Sequence, residues 1–168
     1  MIVNIEQGSP DWRALRKVKI TATDVACITG YNPWKSKQQL LEEKLSEHDP
    51  EPNEKMEEGT RLEPIARDLF QQVTGIKVRP TVHINGWAMC STDGLSEDGK
   101  VVLEIKSGKK SYVEAKAGKI HDVYLVQCQW ILAQSEAEIL HFMAFNEKKN
   151  PIFFRIKKNM AFINEFGS

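Results

Sequence analysis

Val101-Val102-Leu103-Glu104-Ile105-Lys106, with Asp93-Gly94 shortly before it, is the stretch of sequence that decides the fold. Asp98-Gly99 lies between the two segments and is typical of a tight hairpin turn, so two neighbouring antiparallel strands are predicted. Side chains alternate between the faces of a strand, and Glu104 and Lys106 therefore project from the same face. The hairpin gathers an Asp, a Glu and a Lys at one edge of an apolar sheet.

A Glu-x-Lys pair on a strand has two interpretations. It is often a solvated ion pair that contributes little to stability. Here the rest of the strand is apolar, which suits a central strand, and buried charges are costly without compensation. A divalent cation held by Asp93 and Glu104, with Lys106 beside an attacking water, supplies that compensation. We therefore predict a site for phosphodiester hydrolysis at this hairpin.

Glu63 is a third candidate acid. The apolar residues from Glu54 to Val73 recur with helical period, and on this helix Glu63 lies only ~20° from Phe70. An acid on an apolar helix face is rarely left unpaired. Glu63 is therefore expected to complete the metal site or to pair with a cation of its own helix. Those cations are Arg61 and Arg67.

Composition limits the function classes. The 168 residues carry 23 basic and 23 acidic side chains, and the net charge of zero argues against a protein that coats nucleic acid nonspecifically. Three cysteines and four histidines lack metal-ligand spacing, which predicts reduced thiols rather than a zinc site or a disulfide framework. The sequence shows neither a bilayer-spanning apolar run nor a secretory leader, so a cytoplasmic location is expected.

Charge is unevenly distributed along the chain. Residues 42–58 are acidic, whereas 106–119 and 148–158 are rich in lysine and arginine. A local basic surface on a neutral protein is typical of an enzyme that grips a phosphate backbone at one face. The alternative is that these lysines only keep helices and loops soluble.

Periodicity and turn residues divide the chain into three parts of one domain, residues 1–168. A helical part spans about 9–75, a sheet with a crossover helix spans about 76–157, and a last helix starts near 158. This order predicts an α/β fold with a mixed central β-sheet flanked by helices. The predicted helices are 10–17, 23–28, 36–45, 54–73 and 120–133, and the predicted strands are 78–84, 87–92, 101–106, 139–145 and 152–156.

Six short blocks of the sequence occur in a fixed order. They are Trp12-Arg13-Ala14-Leu15-Arg16, Ile20-Thr21-Ala22-Thr23-Asp24, Gly59-Thr60-Arg61-Leu62-Glu63-Pro64, Ser91-Thr92-Asp93-Gly94, Leu103-Glu104-Ile105-Lys106-Ser107-Gly108 and Tyr124-Leu125-Val126-Gln127-Cys128-Gln129. These blocks resemble the YqaJ-type viral recombinase family, the phage lambda-exonuclease-like members of the PD-(D/E)xK nuclease superfamily. The resemblance extends from about residue 8 to 134, and the combination of blocks is more specific than any single one. One departure is that Thr92, not proline, precedes Asp93.

The resemblance implies a restriction-endonuclease-like core and a catalytic set. Glu63, Asp93 and Glu104 would bind the metal together with the backbone carbonyl of Ile105, and Lys106 would orient and help deprotonate the attacking water. Oxygen ligands favour Mg²⁺ or Mn²⁺, and two ions are expected.

Four further positions follow from the same resemblance. Arg16 and Thr23 would hold a 5′-terminal phosphate, for which the planar guanidinium is well suited. Tyr124 and Gln127, at i and i+3 on one helix, would lie next to the site. For Arg16 the alternative is an exposed residue of a cationic segment with Lys17 and Lys19.

The implied function is a Mg²⁺-dependent 5′→3′ exonuclease that digests double-stranded DNA from its ends for phage-type recombination. By the same resemblance it would form a ring-shaped trimer, work with a single-strand annealing protein, and come from a phage, a prophage or another virus. A structure-specific endonuclease of the superfamily is the first alternative. A catalytically silent DNA-binding module is the second, and the presence of all four candidate residues argues against it.

Overall fold

A computed structural model describes residues 1–166, and the final Gly167 and Ser168 of the predicted C-terminal segment lie outside this range. The elements follow one another as β1 (Ile2–Val3), α1 (Pro10–Val18), α2 (Ala22–Ile28), α3 (Lys37–Leu45), α4 (Glu54–Thr74), β2 (Val78–Asn85), β3 (Ala88–Ser96), β4 (Val101–Lys106), α5 (Lys109–Lys116), α6 (Asp122–Ser135), β5 (Ile139–Ala144), β6 (Ile152–Lys157) and α7 (Met160–Phe166).

The six strands form one sheet in which spatial order equals sequence order, β1 to β6. Neighbouring strands are antiparallel except for β4 and β5, which are parallel because α5 and α6 connect them across the sheet. The predicted α/β fold with a mixed sheet flanked by helices is thus confirmed. The expectation that the whole chain is one domain stays a prediction.

Two apolar clusters cover the two faces of the sheet. On one face, α4 packs Leu62, Ala66 and Phe70 against Leu103 of β4 and Met143 of β5. On the other face, α2, α5 and α6 form the larger cluster. Helix α6 is apolar on most of its circumference because it is sandwiched between the sheet and α2.

The connection between β3 and β4 is longer than the predicted two-residue turn. Residues 97–100 join the strands, the Gly99 amide donates to the Ser96 carbonyl (2.9 Å), and Gly99 adopts a left-handed conformation at φ 73°. The predicted strand also ended too early, since β3 continues from Thr92 to Ser96. Asp93 therefore lies inside a strand.

Asp93 and Gly94 form a β-bulge in β3. The flanking pairs are Arg79 with Leu95 and Thr81 with Thr92, so two residues of β3 oppose the single residue Pro80 of β2. Proline has no N–H to donate to the ladder and is tolerated at such an interruption. A bulge bends the strand and changes where its side chains point, which here sets the direction of the Asp93 carboxylate.

Two elements of the structure were not predicted from the sequence. Strand β1 has only two residues, too few for an alternating pattern, and it was not predicted. Helix α5 was missed because Gly108 supplies no side-chain cap and the segment lacks a clear apolar stripe. Helix α2 begins after Thr21, which caps it in a capping box with Asp24.

Gly94 lies at a point of close contact between strands. A Cβ atom there would sit 2.6 Å from Cγ2 and 2.8 Å from Cβ of Val78, and 3.3 Å from Cβ of Leu103. These are core atoms of β2 and β4 that cannot easily move, because protein interiors are close-packed. A side chain at position 94 would push the three strands apart next to Asp93.

We expect Gly94→Ala to lower the free energy of unfolding by about 1–3 kcal/mol through overpacking. In a Val78→Ala background the same change should cost clearly less, because the clashing atoms are gone. Urea denaturation of the four proteins measures this coupling. Gly59→Ala is the control, since its Cβ would meet Ser107 Oγ at 3.8 Å and should be tolerated. Equal losses at Gly94 in both backgrounds would contradict the steric explanation.

Candidate active site

The candidate site opens where β3 and β4 stop pairing. Their paired residues are Gly94 with Leu103 and Leu95 with Val102. Immediately beyond this pairing, the Asp93 carboxylate accepts a hydrogen bond from the Ile105 backbone N–H at 2.7 Å. The side chain thus takes the place of a strand partner, and the carboxylate lies directly across from Glu104.

Glu104 and Lys106 project together from β4 toward α6, as predicted. Lys106 Nζ lies 3.2 Å from Glu104 Oε1 and donates to Gln127 Oε1 at 3.3 Å. The same ammonium stands 4.6 Å from the centre of the Tyr124 ring, a cation–π distance. The two residues predicted to be near the site, Tyr124 and Gln127, therefore both contact Lys106. Together with Glu104 they fix the position of its positive charge.

Glu63 reaches the site from α4 through an arginine. Arg67 pairs with Glu63 (2.9 Å) and also donates from Nε to the backbone carbonyl of Asp93 (2.7 Å). Of the two proposed ion-pair partners of Glu63, the structure selects Arg67, because Arg61 pairs with Glu58 and Glu147 on the surface. Arg67 thereby connects helix α4 to the bulged strand.

The site concentrates negative charge in a buried place. Burial raises the pKa of Asp93 well above its usual value, and the neighbouring Glu104 and Glu63 raise it further. Burial also raises the pKa of Glu104, although Lys106 opposes this shift. For Lys106, burial alone would lower the pKa, but Glu104 and Asp93 outweigh it and the pKa is raised. Additional positive charge would therefore stabilise the ionised carboxylates of this site.

The donor chemistry fits a hard divalent cation. Within residues 1–166, no three His, Cys, Asp or Glu side chains are arranged as a ready metal cage. Glu104 and Glu63 instead pair with Lys106 and Arg67. Burial raises the pKa of Asp93, and the carboxylates of Glu104 and Glu63 lie close enough to raise it further. Carboxylate oxygens are the ligands that Mg²⁺ and Mn²⁺ prefer. These residues could therefore hold such an ion once the two glutamates turn toward Asp93.

Arg16 lines a separate pocket of about 260 Å³ on the helical side. Its guanidinium lies 4.6 Å from the centre of the Trp12 ring, and Trp12 donates to Ser91 Oγ of β3 at 2.8 Å. The pocket is thus tied to the sheet two residues before Asp93. Burial lowers the pKa of Arg16 and Asp24 partly offsets this, so the side chain remains a cation at neutral pH.

The other cations around this pocket are already paired. Arg13 and Lys17 contact Asp49, and Lys44 contacts Asp24 at 2.7 Å. In the part of the chain that the structure describes, Arg16 makes no such ion pair and is the cation available for an anionic ligand. The predicted Thr23 is exposed at the residue before Asp24, and its role as a phosphate ligand stays a prediction.

Sequence reasoning missed the residues that hold this region together. Lys44 donates to the carbonyls of Arg16 (2.6 Å) and Lys19 (2.9 Å) while pairing with Asp24, so it joins α1, α2 and α3. Lys44 lies in the acidic stretch 42–58, and nothing in the surrounding sequence indicates this role. Only its partners, distant in sequence, reveal the role.

The family model for the YqaJ-like viral recombinase domain matches residues 11–138. The chain belongs to this family. The alkaline exonuclease LHK-Exo of Laribacter hongkongensis is similar in structure, with a TM-score of 0.82 and 27% sequence identity over 95% of this chain and 87% of that chain. A second LHK-Exo structure, a complex with dAMP, gives the same TM-score at 26% identity over the same shares of both chains.

A phage-related exonuclease from Haemophilus somnus 129PT shares the fold at a TM-score of 0.60, with 15% identity over 89% of this chain and 88% of that chain. No curated protein sequence matches the YqaJ-like chain. No helix within residues 1–166 is long and apolar enough to cross a membrane. The family and the LHK-Exo structures together support a nuclease.

We expect Arg67→Ala to lower the free energy of unfolding by roughly 2–3 kcal/mol, because it leaves a backbone carbonyl and a carboxylate in a half-buried site without their donor. Arg61→Ala is the matched control on the same helix, where exposed pairs should contribute less than about 1 kcal/mol. Urea denaturation at neutral pH compares them. Similar losses for the two variants would show that Arg67 is another surface arginine.

Proposed function

We propose that this protein is a divalent-metal-dependent exonuclease that digests double-stranded DNA from its ends in the 5′→3′ direction. The observation that carries the proposal is the meeting of Asp93, Glu104 and Lys106 at the opening between β3 and β4, with Glu63 beside them. The LHK-Exo relatives support an exonuclease, and the dAMP complex of one of them supports a nucleotide product.

Glu63, Asp93, Glu104 and the backbone carbonyl of Ile105 are the residues that would hold Mg²⁺ or Mn²⁺, with two ions expected. Such a metal lowers the pKa of water and offsets the negative charge that develops on the phosphate. Two contacts hold these ligands near one another. Asp93 accepts the Ile105 N–H, and Arg67 keeps Glu63 close to the site. All four ligand atoms then come from α4, β3 and β4.

Lys106 contributes a fixed positive charge. Glu104 and Asp93 raise its pKa, so its ammonium stays protonated and acts as a hydrogen-bond donor at neutral pH. This favours a role in orienting the attacking water and stabilising negative charge over a role as the proton acceptor. Gln127 and Tyr124 keep the ammonium in place, which preserves its orientation when Glu104 turns to the metal.

The Arg16 pocket provides the end preference in this proposal. A 5′-terminal phosphate carries more negative charge than an internal one, and a partly buried unpaired arginine can hold it through two parallel hydrogen bonds. Trp12 supports the guanidinium from one side and links the pocket to β3 near Asp93. Recognition of the 5′ end beside the catalytic carboxylates would set the direction of digestion.

The family membership extends the proposal to assembly and context. A ring-shaped trimer would enclose DNA, and a single-strand annealing protein would receive the strand that digestion leaves. The pathway would be phage-type homologous recombination. These points rest on the family alone.

The deciding experiment uses linear duplex DNA, 5′-phosphorylated and labelled at either end, beside a closed circle, with Mg²⁺ or with EDTA. We expect metal-dependent loss of the 5′-terminated strand from linear DNA only, and no cleavage by Asp93→Asn. Asp98→Asn is the matched control, an exposed acid in the turn of the same hairpin, and should cleave normally. Nicking of the circle would contradict the exonuclease proposal and favour a structure-specific endonuclease.

A thermal melt separates a lost site from a lost fold. If the carboxylates bind the metal, Mg²⁺ or Mn²⁺ should raise the Tm of the wild type by mass action, but not that of Asp93→Asn. Without metal, Asp93→Asn should be no less stable, because it removes a buried group whose charge is disfavoured. A variant that melts early, or a metal shift that survives the substitution, would contradict the ligand assignment.

We expect Arg16→Ala to slow digestion of 5′-phosphorylated ends at least about tenfold, because a charged hydrogen bond is lost, and to affect 5′-hydroxyl ends little. Arg13→Ala, at an exposed arginine of the same pocket that already pairs with Asp49, is the control. Initial rates on the two kinds of end measure the difference. An equal loss on both ends would remove Arg16 from end recognition.

A further inference from the structure

Three aromatic rings lead away from Lys106 across the helical side of the candidate site. Lys106 Nζ lies 4.6 Å from the centre of the Tyr124 ring, the Tyr124 and His121 ring centres are 6.1 Å apart, and those of His121 and Trp34 are 5.1 Å apart. Trp34, the outermost ring, is 56% exposed. We call these three residues the aromatic row.

Hydrogen bonds from backbone N–H groups fix the His121 ring and the backbone of Trp34. His121 is the N-cap of α6, and its Nδ1 accepts the Val123 N–H at 3.1 Å, which fixes the imidazole ring. The backbone N–H of Trp34 donates to Asn32 Oδ1 at 2.8 Å. The Asn32 N–H in turn donates to the carbonyl of Ala26 in α2 (3.0 Å). A preorganised ring loses little entropy when a ligand binds to it.

Positive charge accompanies the row at both ends. Lys106 lies at its inner end, and Lys110 Nζ lies 5.5 Å from the centre of the Trp34 ring. Lys109 and Lys110 occupy the first turn of α5, whose N-cap Gly108 provides no side-chain hydrogen bond. Cations at a helix N-terminus oppose the helix dipole, so this placement is unfavourable unless an anion offsets it.

Trp34 also forms one wall of an open groove of about 410 Å³. The other lining residues are Lys35, Gln39, Glu42, Glu43 and Ser46. Its acids are partly engaged, since Glu43 pairs with Lys35 (2.7 Å) and Glu42 accepts from Gln38 (3.3 Å). A planar ligand ring stacked on Trp34 would find both space and polar neighbours in this groove.

We infer that the aromatic row binds single-stranded DNA, with an unpaired base stacked on Trp34 and its phosphates on Lys110 and Lys106. A row of rings with a lysine at each end offers both the aromatic faces and the positive charge that the bases and phosphates of a single strand require. A duplex hides the faces of its bases, so the occupant is a strand whose terminal bases are already separated. This inference rests on the proposed nuclease function and names the form in which the strand reaches the site.

Trp87 provides the internal comparison. It is 54% exposed, nearly the same as Trp34, but it lies in the turn between β2 and β3 and its ring neighbours Trp130 at 5.9 Å. Exposure alone would make the two tryptophans equivalent binding surfaces. The row and Lys110 distinguish Trp34, so only Trp34 should contribute to the binding of a strand.

The test measures fluorescence anisotropy of a short oligodeoxythymidine and of an abasic strand with the same number of phosphates, both in EDTA so that nothing is cleaved. The proteins are wild type, Trp34→Ala, Trp34→Phe and Trp87→Ala, with folding checked by circular dichroism. Wild type should prefer the strand with bases. Trp34→Ala should lose about fivefold or more on that strand and little on the abasic one, as expected for one stacked base.

Trp34→Phe should retain most of the preference because it keeps an aromatic face, and Trp87→Ala should retain all of it. Lys110→Ala should weaken both strands equally, since it removes a phosphate contact. The inference is overturned if wild type does not distinguish the two strands, or if Trp34→Ala weakens both alike. This measurement needs no cleavage. A failed nuclease assay with intact Trp34-dependent binding would therefore refute the proposed nuclease function but not the proposed binding of single-stranded DNA.

Discussion

Asp93 is half-buried and Glu104 is buried on the neighbouring strand, and much of the surrounding structure compensates for placing two acids there. Burial raises the pKa values of both acids, and the neighbouring carboxylates of Glu104 and Glu63 raise that of Asp93 further. The Ile105 N–H stabilises Asp93 by a hydrogen bond, and Lys106 stabilises Glu104 by an ion pair. Arg67 adds a third contact, from α4 to the Asp93 carbonyl. Such compensation holds the acids in place without removing the attraction for a further cation, which is the condition that a metal-dependent hydrolase needs.

The same constraint explains the shape of the strands. A regular β3 would continue its ladder with both neighbours and bury the Asp93 side chain in the sheet. The bulge at Asp93 and Gly94, opposite Pro80, interrupts the ladder and directs the carboxylate to the opening. Gly94 is needed because Val78 and Leu103 leave no room for a Cβ atom. Strand geometry and site chemistry are therefore one feature, and a substitution that repairs the ladder would damage the site.

The helices α1 to α3 form a second wall, held by a different interaction. Lys44 joins the end of α1 to the capping box of α2, and this leaves Arg16 beside Trp12 with its charge unpaired. The aromatic row approaches the same opening from α6 and from the loop after α2. Separate elements thus supply the carboxylates, Arg16 and the exposed ring of Trp34. This combination of charged groups and an exposed aromatic ring suits a substrate that presents both phosphates and bases.

The sequence by itself determined the elements whose pattern is local. Alternation placed Glu104 and Lys106 on one face, helical period placed Glu63 toward the sheet, and the i, i+3 spacing put Tyr124 and Gln127 together. The resemblance of short blocks predicted the family, which the comparison confirmed. Only the tertiary structure decided the bulge, the choice of Arg67 as the partner of Glu63, the clamp by Lys44 and the row that ends at Trp34. Each of these depends on contacts between residues far apart in the chain, and the energy of such a contact leaves no periodic trace in the sequence around either partner.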